Sequence, residues 1–266
     1  MWTLSAPFPF STGLLSISQL VSSGGELGLT TIFTAMTLLE NANHLRDPLL
    51  TAMGKEQCLQ LRKEFPFAKD ISAVFASPLQ RTIQTAAWTF GPELERRQLP
   101  FILVPNAQEI SGFQCDYGRD EAFVKSSAPG LIREAAPGFD EANIDTTLVN
   151  GEWNSKEGIY APTLPAVRRR AGELRRWLWS RPEAHIALIT HGGFLHYLME
   201  DWATYDKSHS TGWRNCEWRQ FEFTEDSNAT EAHLIEVGNT EPKKDRAPGL
   251  DSHVIQEIEE IEKATA

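Results

Sequence analysis

The chain has 266 residues, 41% of them hydrophobic and 23% charged, an ordinary globular composition that excludes collagen-like, wholly disordered and disulfide-scaffold classes. Its 36 acidic side chains outnumber 25 basic ones, a formal charge of -11, so it lacks the basic footprint of a nucleic-acid binder and suits an anionic membrane surface poorly. The length fits one large α/β domain or two small ones.

Residues 1–44 are rich in Ser, Thr, Gly and Leu, and the first Lys or Arg is Arg46. Neither a positive secretory n-region nor an Arg-rich transit pattern is present, so a cytoplasmic protein is expected; a signal peptide ending near Ser22-Ser23 is the alternative. No apolar run reaches the about 20 residues that span a bilayer. Leu14–Val21 reads as a strand running into Ser22-Ser23-Gly24-Gly25, with Thr30–Met36 as its rival. Gly54–Lys63 follows as a helix, Ser72–Ala76 as a short buried strand, Leu79–Phe90 as a helix and Phe101–Val104 as a strand. Leu164, Val167, Ala171, Leu174 and Leu178 recur at three- and four-residue steps, which marks a helix over Leu164–Trp179. Ile186–Thr190 is the clearest strand, and Phe194–Trp202 is helical.

This alternation argues for an α/β fold with a mostly parallel sheet and helices on both faces. One domain is expected over 14–235, with an extension over 1–13 and a polar, acidic, mobile tail over 236–266 carrying one short helix near Val254–Lys263. Arg168–Arg170, Arg175, Arg176 and Arg181 read as the solvated face of their helix, with an anionic substrate tail as the functional alternative. Cys58, Cys115 and Cys216 are odd in number and far apart, show no metal spacing, and suggest a reducing compartment.

In open parallel sheets, ligands sit beyond the carboxyl ends of the strands, so the residues just after each strand carry the information. After Ala76 come Ser77 and Pro78, fit for the cap and first position of a helix, with Arg81 in its first turn. A cation there opposes the helix dipole and needs an anion, from a bound phosphate or a neighbouring carboxylate. After Val104 comes Glu109, either a site carboxylate or an ordinary loop residue. After Thr190 comes His191-Gly192-Gly193, a ligand-facing His with a backbone free to approach closely, or a structural His. Together Arg81, Glu109 and His191 suit phosphoryl transfer, where positioning and charge stabilisation dominate. Gly24–Gly28 looks like a phosphate loop but lacks the GK[ST] of a P-loop, which leaves nucleotide binding a distant reading.

Five segments resemble the histidine phosphatase superfamily, often called phosphoglycerate mutase-like, and within it the fungal phosphoglycerate mutase-like phosphatases: Leu45–Cys58, Ser77–Ala86, Gln108–Gly118, Ile189–Trp202 and Thr211–Phe223. The resemblance implies a three-layer α/β/α sandwich and metal-independent hydrolysis of a small phosphorylated metabolite through a phosphohistidine, with no cofactor. It implies that Arg81 binds phosphate, that Glu109 protonates the leaving group and that His191 contacts the phosphoryl oxygens. It also implies an Arg-His-Gly nucleophile motif upstream of Leu45. The best superposition puts that motif on Ser22, Ser23 and Gly24, and no His occurs before His44. The expected activity is therefore impaired phosphatase action, or phosphate binding by a pseudophosphatase. A natural loss and a misassigned first exon both account for the gap.

Overall fold

A strand buried on both faces must be apolar throughout, and the computed structural model, which describes residues 28–33, 44–200, 215–237 and 252–264, places such a strand at the middle of its sheet. This is β5 (His185–Thr190), and its Ile186–Thr190 stretch is fully buried. On one side of it lie β2 (Ala73–Ala76), β3 (Phe101–Leu103) and the short β4 (Ile144–Asp145); on the other lie β1 (Gly28–Phe33), β6 (Trp218–Phe223) and β7 (Leu234–Glu236). The order is β4-β3-β2-β5-β1-β6-β7. The first five in that order run parallel, and β6 and β7 are antiparallel.

β1 pairs with β5 from Gly28 opposite His185 to Phe33 opposite Thr190. The strand expected at Leu14–Val21, with the motif position at Ser22, Ser23 and Gly24, lies outside the described residues. Those three residues precede the strand that neighbours β5 instead of ending it. The rival at Thr30–Met36 overlaps β1, whose Thr30, Thr31, Ile32 and Phe33 are β-branched or aromatic and favour extended backbone.

Among the described residues six α-helices cover the sheet: α1 (Ala52–Glu64), α2 (Gln80–Arg97), α3 (Glu121–Arg133), α4 (Leu164–Trp179), α5 (Gly192–Met199) and α6 (Ser252–Lys263). Side chains alternate across the pleat. Val74 and Ala76 join one apolar cluster with Leu61, Ile83, Phe90 and Ile132, while Ala73 and Phe75 join a second with Val167, Leu174, Phe194 and Leu198. The result is the three-layer α/β/α sandwich. α6 belongs to it: Val254, Ile258 and Ile261 bury in the second cluster. The short helix expected near Val254–Lys263 is thus present, but packed on the sandwich where a mobile tail was expected: its three apolar side chains at helical spacing form a stripe that buries in the second cluster.

Two contacts tie distant parts together. Cys58 Sγ of α1 lies 3.8 Å from Cys216 Sγ, just before β6. Gly91 of α2 faces the end of α3, where an added Cβ would stand 2.4 Å from the Ala135 carbonyl oxygen. Gly91→Ala should therefore push α2 from α3 and lower stability by about 1–3 kcal/mol. The exposed Gly130 of α3 meets nothing within 4 Å, so Gly130→Ala should instead stabilise by roughly 0.5–1 kcal/mol. Opposite shifts of the two urea midpoints are expected.

Candidate active site

The carboxyl ends of β2, β3 and β5 deliver Ser77, Glu109 and His191 to one edge of the sheet, and α2 adds Arg81. α2 begins at Gln80, later than Ser77 and Pro78 would suggest. Its free N–H groups are met from outside: Asp47 Oδ1 accepts from Gln80 N at 2.8 Å. Burial raises Asp47 to about 6, against the lowering effect of that N–H, Arg81 and Arg119. Ser77 is thereby free for another role, and its Oγ bonds His191 Nε2 at 2.9 Å.

Arg81 is 1% exposed and sits in the first turn of α2, where the dipole repels it. The compensating anion is Asp116, whose Oδ1 accepts from Arg81 Nη2 at 2.8 Å. Arg81 Nη1 donates to the Cys115 carbonyl oxygen, also at 2.8 Å. Burial opposes the Arg81 charge, but Asp116 and the other carboxylates around it hold its pKa above the usual arginine range. Ser111 Oγ bonds the other Asp116 oxygen and fixes the carboxylate. Asp116 is reached from Gly118, where an added Cβ would overlap the fully buried Trp153 ring, so only glycine lets the 108–118 segment pack there.

Arg81 Nη2 also stands 3.1 Å from His191 Nδ1. A guanidinium can only donate, so Nδ1 accepts and the ring proton of a neutral His191 lies on Nε2, which donates to Ser77. Burial, reinforced by Arg81, Lys156 and Arg170, holds His191 well below the ordinary histidine value, consistent with this tautomer.

Glu109 lies at the N-terminus of α5. Phe194 N donates to its Oε1 at 2.9 Å and Gly193 N to its Oε2 at 3.3 Å. A Cβ at Gly193 would stand 2.9 Å from Glu109 Oε1 and 2.7 Å from Ile110 Cδ1, so the close approach this glycine permits is to Glu109. Burial, with Asp116 nearby, raises Glu109 to about 7, while Arg81 and the helix N–H groups pull the other way.

The structure thus brings Arg81, Glu109 and His191 together with four further groups, of which the sequence reading named Arg170 alone, within the Arg168–Arg170 run read as a solvated face. Lys156 and Arg170 are 6% and 1% exposed, and both donate to the Glu109 carbonyl oxygen, at 3.2 and 3.3 Å. Lys156 stands in the left-handed region at φ 56°, uncommon outside glycine. Burial lowers Lys156 to about 8 and Arg170 to about 10. Arg168 and Arg169 are exposed as expected, but Arg170 faces inward, three residues after Val167 and four before Leu174 on the buried stripe of α4. Arg175 is also buried and closes the end of α5 by donating to the carbonyls of Tyr197 and Leu198. The other two groups are Asp116 and Glu257. Glu257, from α6, is fully buried and electrostatically close to Glu109 and Asp116; burial and those two carboxylates raise it well above the usual range. Its place between Val254, Ile258 and Ile261 on the apolar stripe was the sequence signal.

The chain belongs to the histidine phosphatase superfamily: the model of its branch 1 matches residues 37–235. A protein of Schizosaccharomyces pombe named as a probable phosphatase is 27% identical over 155 residues, 58% of this chain and 67% of that one. A phosphoglycerate mutase-like protein of Arabidopsis thaliana is 26% identical over 215 residues, 68% of this chain and 75% of its own. The solved structure of a mycobacterial glucosyl-3-phosphoglycerate phosphatase is 17% identical, with a TM-score of 0.47, covering 79% of this chain and 96% of that one.

The raised Glu109 value gives a sign that can be measured. Folding holds the group protonated to about 7 against an ordinary 4.5, so its contribution is fully present below 4.5 and is lost as pH rises through 7. Glu109→Gln mimics the protonated form. Urea unfolding should find the two proteins alike near pH 4.5, with the variant more stable by on the order of 3 kcal/mol above pH 7. Taking the difference cancels the opposite contribution of His191.

Proposed function

We propose that this chain is a phosphoglycerate mutase-like phosphatase of the fungal type whose site accepts a small phosphorylated metabolite in the cytoplasm, and whose metal-independent phosphomonoester hydrolysis is impaired because the nucleophilic His is absent. The observation that carries the reading is upstream of Leu45. The family pattern puts the nucleophile at the end of the first strand. β1 ends at Phe33, the sequence continues Thr34-Ala35-Met36, and the family match begins only at residue 37. The one histidine before Leu45 is His44, which is exposed.

The rest of the arrangement favours phosphate binding. Arg81, Lys156 and Arg170 are buried cations around Glu109 and His191. Glu109, at about 7, has the range of a proton donor to a leaving alkoxide near neutral pH. His191, kept neutral, offers an Nε2–H in place of the Ser77 contact. A reducing, cytoplasmic setting is compatible with three cysteines that form no disulfide among themselves. One observation favours the second reading, a pseudophosphatase: the Arg81 guanidinium is already engaged by Cys115, Asp116 and His191.

Loss of a nucleophile typically costs on the order of 10⁴ to 10⁶ in turnover. The purified chain should therefore bind orthovanadate weakly and hydrolyse p-nitrophenyl phosphate near background, and acid quench with labelled ester should trap no phosphohistidine. Robust turnover without added metal, abolished by His191→Ala, would overturn the reading.

A further inference from the structure

α6 carries into the site a carboxyl group that its surroundings do not favour as an ion. The helix lies beyond residue 235, where the family match ends, and it packs against α5. Val254, Ile258 and Ile261 anchor it in the second apolar cluster, which also holds Ile110 and Phe194, the neighbours of Glu109. Glu257 lies on the same stripe of α6 and is fully buried. A carboxyl on the apolar face of a helix loses its water on docking. That cost falls heavily on the ionised form and lightly on the protonated one.

The groups around Glu257 act in the same direction. Glu109, Asp116 and the Cys115 thiol reach it from the 108–118 segment, and Lys156 from the loop before α4. Asp116 is ion-paired with Arg81 at 2.8 Å, so its charge is already spent there. Glu109 gains a negative charge near pH 7, and Lys156 loses its positive one near pH 8. Burial pushes the Cys115 thiol up to about 12, so it stays neutral through this range. On α6 itself Glu260, one turn on, is exposed. As pH rises through neutrality, the cluster therefore becomes steadily less able to hold an ionised Glu257.

We propose that α6 is a pH-released cover, docked on the Glu109 side of the site while Glu257 keeps its proton and freed when Glu257 ionises. The proton passes to water, the carboxylate leaves with the helix, and that side of the cluster opens to solvent. Release requires no ligand and so stands apart from the phosphate reading. The sign follows from the raised value of the docked group. Its contribution to docking is fully present below the ordinary 4.5 and is lost as pH rises through the docked value. Between the two, docking weakens about tenfold for each pH unit.

Amide hydrogen exchange on the full chain, corrected for the intrinsic pH dependence of exchange, tests this. From about pH 5.5 to about pH 7.5 the protection of α6 should fall on the order of 100-fold, while β5, at the centre of the sheet, keeps its own. Glu257→Gln has the shape of the protonated form and should hold α6 protected across the whole range. Glu109→Gln should retain the fall. Wild-type protection that does not change with pH overturns the proposal. So does a fall that persists in Glu257→Gln, or one that Glu109→Gln abolishes, since the titrating group would then be Glu109. If α6 of Glu257→Gln is unprotected at every pH, the other two series decide: a fall in both supports release by Glu257, and a fall lost in Glu109→Gln overturns it.

Discussion

Burying the Arg81 guanidinium strips it of water, a penalty of several kcal/mol for an ion, and the Asp116 carboxylate offsets it from 2.8 Å. Much of the surrounding architecture keeps that partner in place. Ser111 holds the second Asp116 oxygen, and Gln108 anchors its segment by donating to the Trp153 carbonyl at 2.6 Å. Trp153 closes against Gly118, whose carbonyl oxygen accepts from Arg46 and Asn154. Glu109 lies within this same segment. The position of the acid at the mouth of α5 is thus a by-product of the packing that neutralises Arg81.

The cluster carries its charges unevenly. Arg81, Lys156 and Arg170 are cationic, Glu257 is driven towards its neutral form, and Glu109 is balanced between forms near neutral pH. In a chain of net charge -11 this leaves a local excess of positive charge, sealed in low dielectric where its field is strongest. An anion would meet attraction there that the outer surface does not offer.

The positions of Arg81, Glu109 and His191 were legible because each follows an apolar run too short for a helix, and strand ends in a parallel sheet converge. Arg170 was hidden by its company: a run of arginines reads as a wet face, although Val167 and Leu174 placed the third of them on the dry one. Glu257 was hidden in the same way by an acidic tail. Lys156 sits in a loop with no periodicity to expose it, and only the tertiary packing brings it to Glu109. The rival strand at Thr30–Met36 was legible from the β-branched and aromatic residues of Thr30–Phe33, and pairing with β5 starts it two residues earlier, at Gly28.

The number and spacing of the cysteines pointed to a reducing compartment, yet spacing along a chain says nothing about distance across a fold. Cys58 and Cys216 are separated by 158 positions and their sulfurs by 3.8 Å. A two-electron oxidant that removed their protons would close a covalent loop of that length, restricting the unfolded chain by about 5 kcal/mol in the loop-entropy account. The staple would join α1 to the start of β6, beside the packed rings of Phe65, Phe67 and Trp218. With that staple closed, the stability of this protein would be a property of its redox buffer as well as of its sequence, and a melting temperature would have meaning only with the thiol reagent stated beside it.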